Sequence, residues 1–161
     1  MEELTVDAPA PDFSLPAVTR QGEKQLSLTD YRDKASVVLY FYPKDDTPGC
    51  TAESCAFRDL LPDFEAAGSA ILGISPDDQA SHRKFAEKHA LPFPLLADSD
   101  HAVAEAYGVW KEKKNYGKTY MGIERTTFVI DKSGKIAKIY PRVKVDEHAS
   151  KVLEFVKSLA E

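Results

Sequence analysis

The order of elements along this 161-residue chain predicts an α/β fold: a central mixed β-sheet flanked by helices, with a β-hairpin at its N-terminal end. Three observations predict it. Two apolar runs rich in β-branched and aromatic residues, 36–42 (SVVLYFY) and 69–74 (SAILGI), read as strands buried on both faces. Each is followed by a segment of helical pattern, which implies parallel strands joined by right-handed crossovers. After residue 125 the pattern changes to two short strands around Asp131-Lys132-Ser133-Gly134, a hairpin signal, and then a last helix.

Residues 12–18 and 23–28 alternate around Gln21-Gly22 and read as the N-terminal hairpin. Residues 27–33 make a turn or one helical turn. The strand at 36–42 leads to a helix over 51–67, with Ala52, Phe57, Leu60, Leu61 and Phe64 at near-helical spacing and Gly68 as its stop. Pro62 lies inside that helix and predicts a kink or break, because proline removes an intrahelical hydrogen bond. The strand at 69–74 precedes a helix over 75–90 with an acidic first turn, Asp77-Asp78. A short strand at 93–97 and a helix over about 101–107 come next. The stretch 109–124 (VWKEKKNYGKTYMGIE) reads as a long irregular loop, and loops of that size are often functional. Strands at 126–130 and 136–140 flank the second hairpin. The closing helix, 146–160, carries one apolar stripe: Ala149, Val152, Leu153, Val156 and Leu159. This succession fits a thioredoxin-like architecture, in one domain spanning residues 1–161.

A hydrophobic fraction of 43% is ordinary for a soluble globular chain. The net charge of −5 argues against nucleic acid as a partner, and no apolar run is long enough to span a membrane. The first residues are acidic, without the basic-then-apolar order of a signal peptide, so a cytoplasmic location is expected. That compartment keeps thiols reduced. His82, His89, His101 and His148 are scattered, none at ligand spacing from another, and read as solvated surface residues; no metal and no cofactor is expected.

The two cysteines, Cys50 and Cys55, stand five residues apart in the run 43–55 (PKDDTPGCTAESC). Cys50 falls where a helix begins after an apolar strand. Unpaired N–H groups and the helix dipole favour an anion there, so the sulfur tends toward thiolate, the reactive form. Thr47 lies within reach of that sulfur, Pro43 and Pro48 stiffen the approach, and one cationic side chain would complete the site. Cys55 is near enough in sequence to capture what Cys50 becomes. Spacing and compartment point to thiol redox chemistry.

Pro43-x-x-x-Thr47-x-x-Cys50 resembles the active-site signature of the peroxiredoxins, and a second cysteine at Cys55 resembles their peroxiredoxin Q subfamily, also called bacterioferritin comigratory protein. The block 122–131 (GIERTTFVID) is similar to that family's second conserved segment, in which an arginine precedes a strand. The likeness runs from the segment 8–13 (APAPDF) to the last helix. It implies that Cys50 attacks the peroxide O–O bond and becomes a sulfenic acid. Arg125 would orient the peroxide, Thr47 would hydrogen-bond its oxygen, and Pro43 would shield the pocket. Cys55 would condense with the sulfenic acid to a disulfide. The resemblance further implies hydrogen peroxide and organic hydroperoxides as substrates, thioredoxin or a similar dithiol protein as reductant, and a monomer.

Residues five apart in a regular helix have Cα atoms roughly 8.5 Å apart, whereas a disulfide needs about 7 Å or less. Cys50 and Cys55 therefore cannot bridge while the helix is intact, and oxidation is expected to unwind its first turns. Glu53 reads either as a first-turn acid favouring the helix dipole or as a partner of the arginine. Thr47 also reads as a helix N-cap. Trp110, Tyr116 and Tyr120 read as ordinary packing or as a pocket mouth, and residues 111–114 as a solvated loop. A thioredoxin-like disulfide oxidoreductase is the second function class, but it normally has two residues between its cysteines, not four. A partner-binding module is the third, and no apolar surface pattern supports it.

Overall fold

The computed structural model describes residues 4–160. The N-terminal alternation forms its hairpin: β1 (Ser14–Thr19) and β2 (Gly22–Ser27) pair antiparallel, and a 3-10 turn, Leu28–Tyr31, follows. Next come β3 (Ser36–Phe41), α1 (Pro48–Ala66), β4 (Ser69–Ser75), α2 (Gln79–His89), β5 (Leu95–Ala97) and the short α3 (Ala102–Ala106). A second hairpin, β6 (Trp110–Asn115) and β7 (Lys118–Ile123), precedes β8 (Thr126–Ile130), β9 (Ile136–Tyr140) and α4 (His148–Leu159).

Seven strands form one mixed sheet in the order β2-β1-β5-β4-β3-β8-β9. The apolar runs lie at its centre: β3 pairs parallel with β4 and antiparallel with β8, and β4 pairs parallel with β5. Every residue of β3 is buried because side chains alternate between two covered faces. Val37, Leu39 and Phe41 enter one apolar cluster with Phe13, Tyr107 and Phe128. Val38, Tyr40 and Tyr42 enter the other, with Phe57 and Phe64 of α1, Phe85 of α2, and Val152 and Val156 of α4. The architecture is the mixed sheet between helices that the element order predicts.

Three expectations fail for physical reasons. First, α1 begins at Pro48, earlier than expected, with proline at the position where a missing N–H is harmless. Second, α1 runs on through Pro62 without a break. Pro62 is exposed, on the side of α1 away from the core, while Phe57 and Phe64 hold the helix on the sheet. Third, 109–124 is not an irregular loop. β6 and β7 pair from Trp110 opposite Ile123 to Asn115 opposite Lys118. Tyr116 and Gly117 turn the chain at φ 52° and 76°, the left-handed pair that a two-residue hairpin loop requires. The hairpin escaped sequence reading because β7 is largely exposed and supplies little apolar alternation.

One close approach fixes α1 to the sheet. Tyr40 stands opposite Gly73 on β4, and a Cβ at residue 73 would meet the Tyr40 hydroxyl and Leu95 at 2.8 Å. The ring therefore lies across β4, where glycine alone leaves room. Its hydroxyl is 2.8 Å from Ser54 Oγ on α1.

Candidate active site

The loop between β3 and α1 carries Pro43 and Thr47 and sets where Cys50 falls. It is anchored from beneath by Asp45, which is buried. Asp45 accepts from the Tyr42 hydroxyl at 2.7 Å and from the Ser81 hydroxyl at 2.8 Å, and its backbone N–H donates to Asp77 at 2.7 Å. His82 Nδ1 lies 2.7 Å from Asp45 Oδ2, and its Nε2 donates to the Leu96 carbonyl at 2.7 Å. Oxygen or nitrogen atoms of Asp45, Asp77 and His82 fall within 4.8 Å of one another, a spacing that could suit a cation. All three residues are instead engaged with one another or with neighbouring groups, so the cluster ties the loop to α2.

Thr47 is the N-cap of α1, extended at φ −92° and ψ 154°, but its side chain makes no capping bond. The hydroxyl donates to the Lys44 carbonyl at 2.8 Å, which leaves its oxygen lone pairs available. Pro43, half-buried, opens the loop. Cys50 is the third residue of α1, 1% exposed, among the first-turn amides that have no intrahelical partner. Arg125, just before β8, donates from Nη2 to Cys50 Sγ at 3.2 Å. Gly49 leaves room on that side: a Cβ there would stand 3.2 Å from Arg125 Nη2, close enough to make the guanidinium shift slightly.

Arg125 is held by Glu53, one turn beyond Cys50, through Nη1 to Oε1 at 2.7 Å. Of the two readings of Glu53, the structure selects the arginine partner. Burial would lower the Arg125 pKa, but Glu53 and Cys50 together hold it above the ordinary guanidinium value. Glu53 is 1% exposed, and burial, opposed by Arg125, pushes its pKa up to about 7. Its Oε2 has no hydrogen-bond partner among the described residues. His148 Nε2 stands 4.0 Å away and is bonded to the Thr127 hydroxyl at 2.8 Å. Burial first, then Arg125 and Lys151, press the His148 pKa down to about 4. At neutral pH His148 is uncharged, so its proximity to Glu53 is not an ion pair.

Arg125 and Cys50 thus meet where β8 and α1 begin, while Thr47 stands at the N-cap of α1 and Pro43 lies on the loop that leads into it. Cys55 lies further along the same unbroken helix, half-buried, and both thiols are free. The expectation of surface histidines is wrong for His82 and His148, which are 0% and 5% exposed. A signal was present: His148 continues the stripe of Val152 and Val156 at intervals of four, and His82 lies three residues before Phe85. Trp110 stacks on His101 with ring centres 4.0 Å apart, so it packs, whereas Tyr116 is 97% and Tyr120 48% exposed.

The AhpC/TSA family model matches residues 6–139. Peroxiredoxin Bcp of Bacillus subtilis is 50% identical over 158 residues, covering 98% of each chain. A solved structure of the Xanthomonas campestris bacterioferritin comigratory protein, described for its alkyl peroxide reduction activity, superimposes with a TM-score of 0.86 at 42% identity and 92% of each chain. BcpB of Mycobacterium tuberculosis superimposes with a TM-score of 0.85 at 35% identity, over 98% of this chain and 99% of that one.

Proposed function

This chain belongs to the AhpC/TSA family as a peroxiredoxin of the Bcp kind, a peroxidase, and from that premise we propose how its own residues carry the reaction. The observation that supports the reading best is the 3.2 Å contact between Arg125 Nη2 and Cys50 Sγ in the first turn of α1. Cys50 is the attacking thiolate and Arg125 the cation that holds it. Hydrogen peroxide or an organic hydroperoxide enters beside the sulfur, guided by Arg125 and the Thr47 hydroxyl, while Pro43 limits water. The sulfur attacks the terminal peroxide oxygen: an S–O bond forms, the O–O bond breaks, and the leaving oxygen takes a proton as alcohol or water. Cys50, oxidised by two electrons, is now a sulfenic acid. The Cys55 sulfur displaces its hydroxyl as water and closes a disulfide.

Closure needs the two Cα atoms within about 7 Å, and about 8.5 Å separates such positions in an intact helix. The first turns of α1 therefore unwind, which draws Glu53 and Cys50 away from Arg125. Thioredoxin or a similar dithiol protein then reduces the disulfide by exchange. Because both sulfurs belong to one chain, a monomer suffices, and a reducing cytoplasm supplies the reductant. Reduced protein is mixed with one equivalent of hydrogen peroxide, and thiols are counted. The wild type loses both thiols within seconds; Cys50→Ser loses none rapidly; Cys55→Ser consumes one equivalent and stalls as a sulfenic acid. Retention of fast turnover in Cys50→Ser would overturn the assignment.

A further inference from the structure

The β6–β7 hairpin stands apart from the seven-stranded sheet and pairs only within itself. Residues 110–123 hold four lysines and one glutamate, a net charge of +3 in a chain of −5, so the remainder of the chain carries −8. The register sorts these charges by face, because alternate residues of a strand share a side. Lys111 lies opposite Gly122, Lys113 opposite Tyr120 and Asn115 opposite Lys118. Lys111, Lys113, Lys118 and Tyr120 therefore stand on one face, and the single acid, Glu112, falls on the other with Lys114. The side chains agree: a Cβ at residue 122 would meet Lys113 Cδ at 3.4 Å and Tyr120 Cε2 at 3.5 Å. Among the described residues, no carboxylate lies within 4.0 Å of the three ammonium groups. At the base of the hairpin, Trp110 and Ile123 pack into the core, and the Glu124 N–H donates to the Val109 carbonyl at 2.8 Å. Arg125, the next residue, is the one whose Nη2 lies 3.2 Å from Cys50 Sγ. The basic face thus leaves the body two residues from the arginine that holds the reactive sulfur.

We propose that the face of the β6–β7 hairpin bearing Lys111, Lys113, Lys118 and Tyr120 is the docking surface for the protein that reduces the Cys50–Cys55 disulfide, and that this partner is a dithiol protein with an acidic surface around its thiols. The inference rests on the thiol cycle proposed above. Charge complementarity selects the partner class. The remainder of the chain, at −8, repels an acidic protein, whereas the hairpin attracts it. An acidic partner is thereby steered to the end of the molecule where the disulfide forms, and a basic one is drawn elsewhere. The reach is sufficient. An ordinary interface covers about 800 Å² on each partner, a disc of roughly 15 Å radius, and a six-residue strand spans about 20 Å. Tyr120, 48% exposed, adds an amphipathic ring among the charges, the kind of side chain that supplies contact area at interfaces. Once docked, a partner thiolate attacks one sulfur of the disulfide, forms a mixed disulfide and releases the other sulfur as thiolate. The partner's second thiol then displaces the first, so the partner leaves oxidised and both cysteines of this chain are reduced.

The test compares two reductants on the disulfide form, prepared with hydrogen peroxide: a reduced thioredoxin of net negative charge, and dithiothreitol, which is small and uncharged. The proteins are wild type, Lys118→Glu, Lys113→Glu/Lys118→Glu and Lys114→Glu. At low ionic strength the double variant is reduced by thioredoxin about tenfold more slowly than wild type, and Lys118→Glu about threefold more slowly. The gap closes to within about twofold in 1 M salt. Lys114→Glu, the same change of charge on the other face, stays within about twofold throughout. Dithiothreitol reduces all four proteins equally, and their first reaction with peroxide is unchanged. Equal thioredoxin rates in the double variant and wild type overturn the docking surface. So does an equal loss in Lys114→Glu, which would mark net charge rather than this face, and so does a matching loss with dithiothreitol, which would mark a structural role. A wild type that sediments as a dimer while the double variant sediments as a monomer gives the face to a second copy of this chain and rejects the proposal. A wild-type disulfide that fails to form, or that thioredoxin reduces no faster than dithiothreitol at equal concentration, overturns the proposed cycle itself and the docking surface with it.

Discussion

The two halves of α1 are built on opposite terms. From Phe57 onward the helix is held by packing: Phe57 stacks on Tyr40 with ring centres 4.9 Å apart, meets Phe64 at 5.8 Å and takes His148 edge-on at 5.8 Å. Up to Cys55 it is held by polar contacts that are incomplete. The Thr47 side chain does not cap it, and among the described residues the Cys50 side chain is bonded through Arg125 alone and one oxygen of Glu53 is buried without a partner. Incomplete satisfaction makes local opening inexpensive relative to global unfolding. Under the proposed cycle, this contrast would let one element hold a thiol rigidly for one step and release it for the next. In that cycle the rear half would be the anchor and the front half the hinge.

Four changes break or sharpen this contrast. Phe57→Ala empties the rear anchor and should cost about 3–5 kcal/mol in urea unfolding, the largest effect expected. The fraction still folded should react with peroxide at nearly the wild-type rate; a large kinetic loss would mean that the halves are not separable. Arg125→Met strikes the front half and should slow the peroxide step by about a hundredfold, near 2.7 kcal/mol, and also lower the unfolding midpoint, because it leaves the Glu53 carboxyl buried without its partner. Stopped-flow tryptophan fluorescence reads the first quantity and urea titration the second.

Glu53→Gln tests the pH behaviour of the front half. The Glu53 pKa is near 7 when folded and near 4.5 in the reference state, so the folded protein binds this proton more tightly. Its stabilising effect is complete below about 4.5 and is lost as pH rises through about 7. His148 works the other way: its pKa falls from 6.5 to about 4 on folding, so its contribution is complete above 6.5 and lost toward 4. Between pH 5 and 7.5 the wild type should therefore lose roughly 1–3 kcal/mol relative to Glu53→Gln. Parallel stability curves for the two proteins would remove Glu53 as the titrating group. The smallest effect is expected of Tyr40→Phe, which deletes the 2.8 Å bond joining the sheet to Ser54. It should lower the melting temperature by about 2–4 °C, measured calorimetrically.

What the sequence made legible follows the same division. Elements that bury two faces or a full stripe, such as β3, β4 and α4, announce themselves through uninterrupted or periodic apolar residues. The β6–β7 hairpin does not, because its strands are mostly solvated and its turn uses Tyr116 where glycine or asparagine would be the usual sign. The signature positions around Cys50 were readable because chemistry fixes their spacing along one loop and one helix turn. The Asp45–His82 anchor was not, since its members lie 37 residues apart and meet only when α2 docks.

The Tyr40–Gly73 crossing reaches beyond this molecule. Any methyl introduced at residue 73 must displace a phenol ring that also reaches Ser54 on α1. The two positions are therefore locked together under mutation: lineages that enlarge one are expected to shrink the other in the same step, and a designer grafting this strand pair into a new scaffold must move both residues or neither.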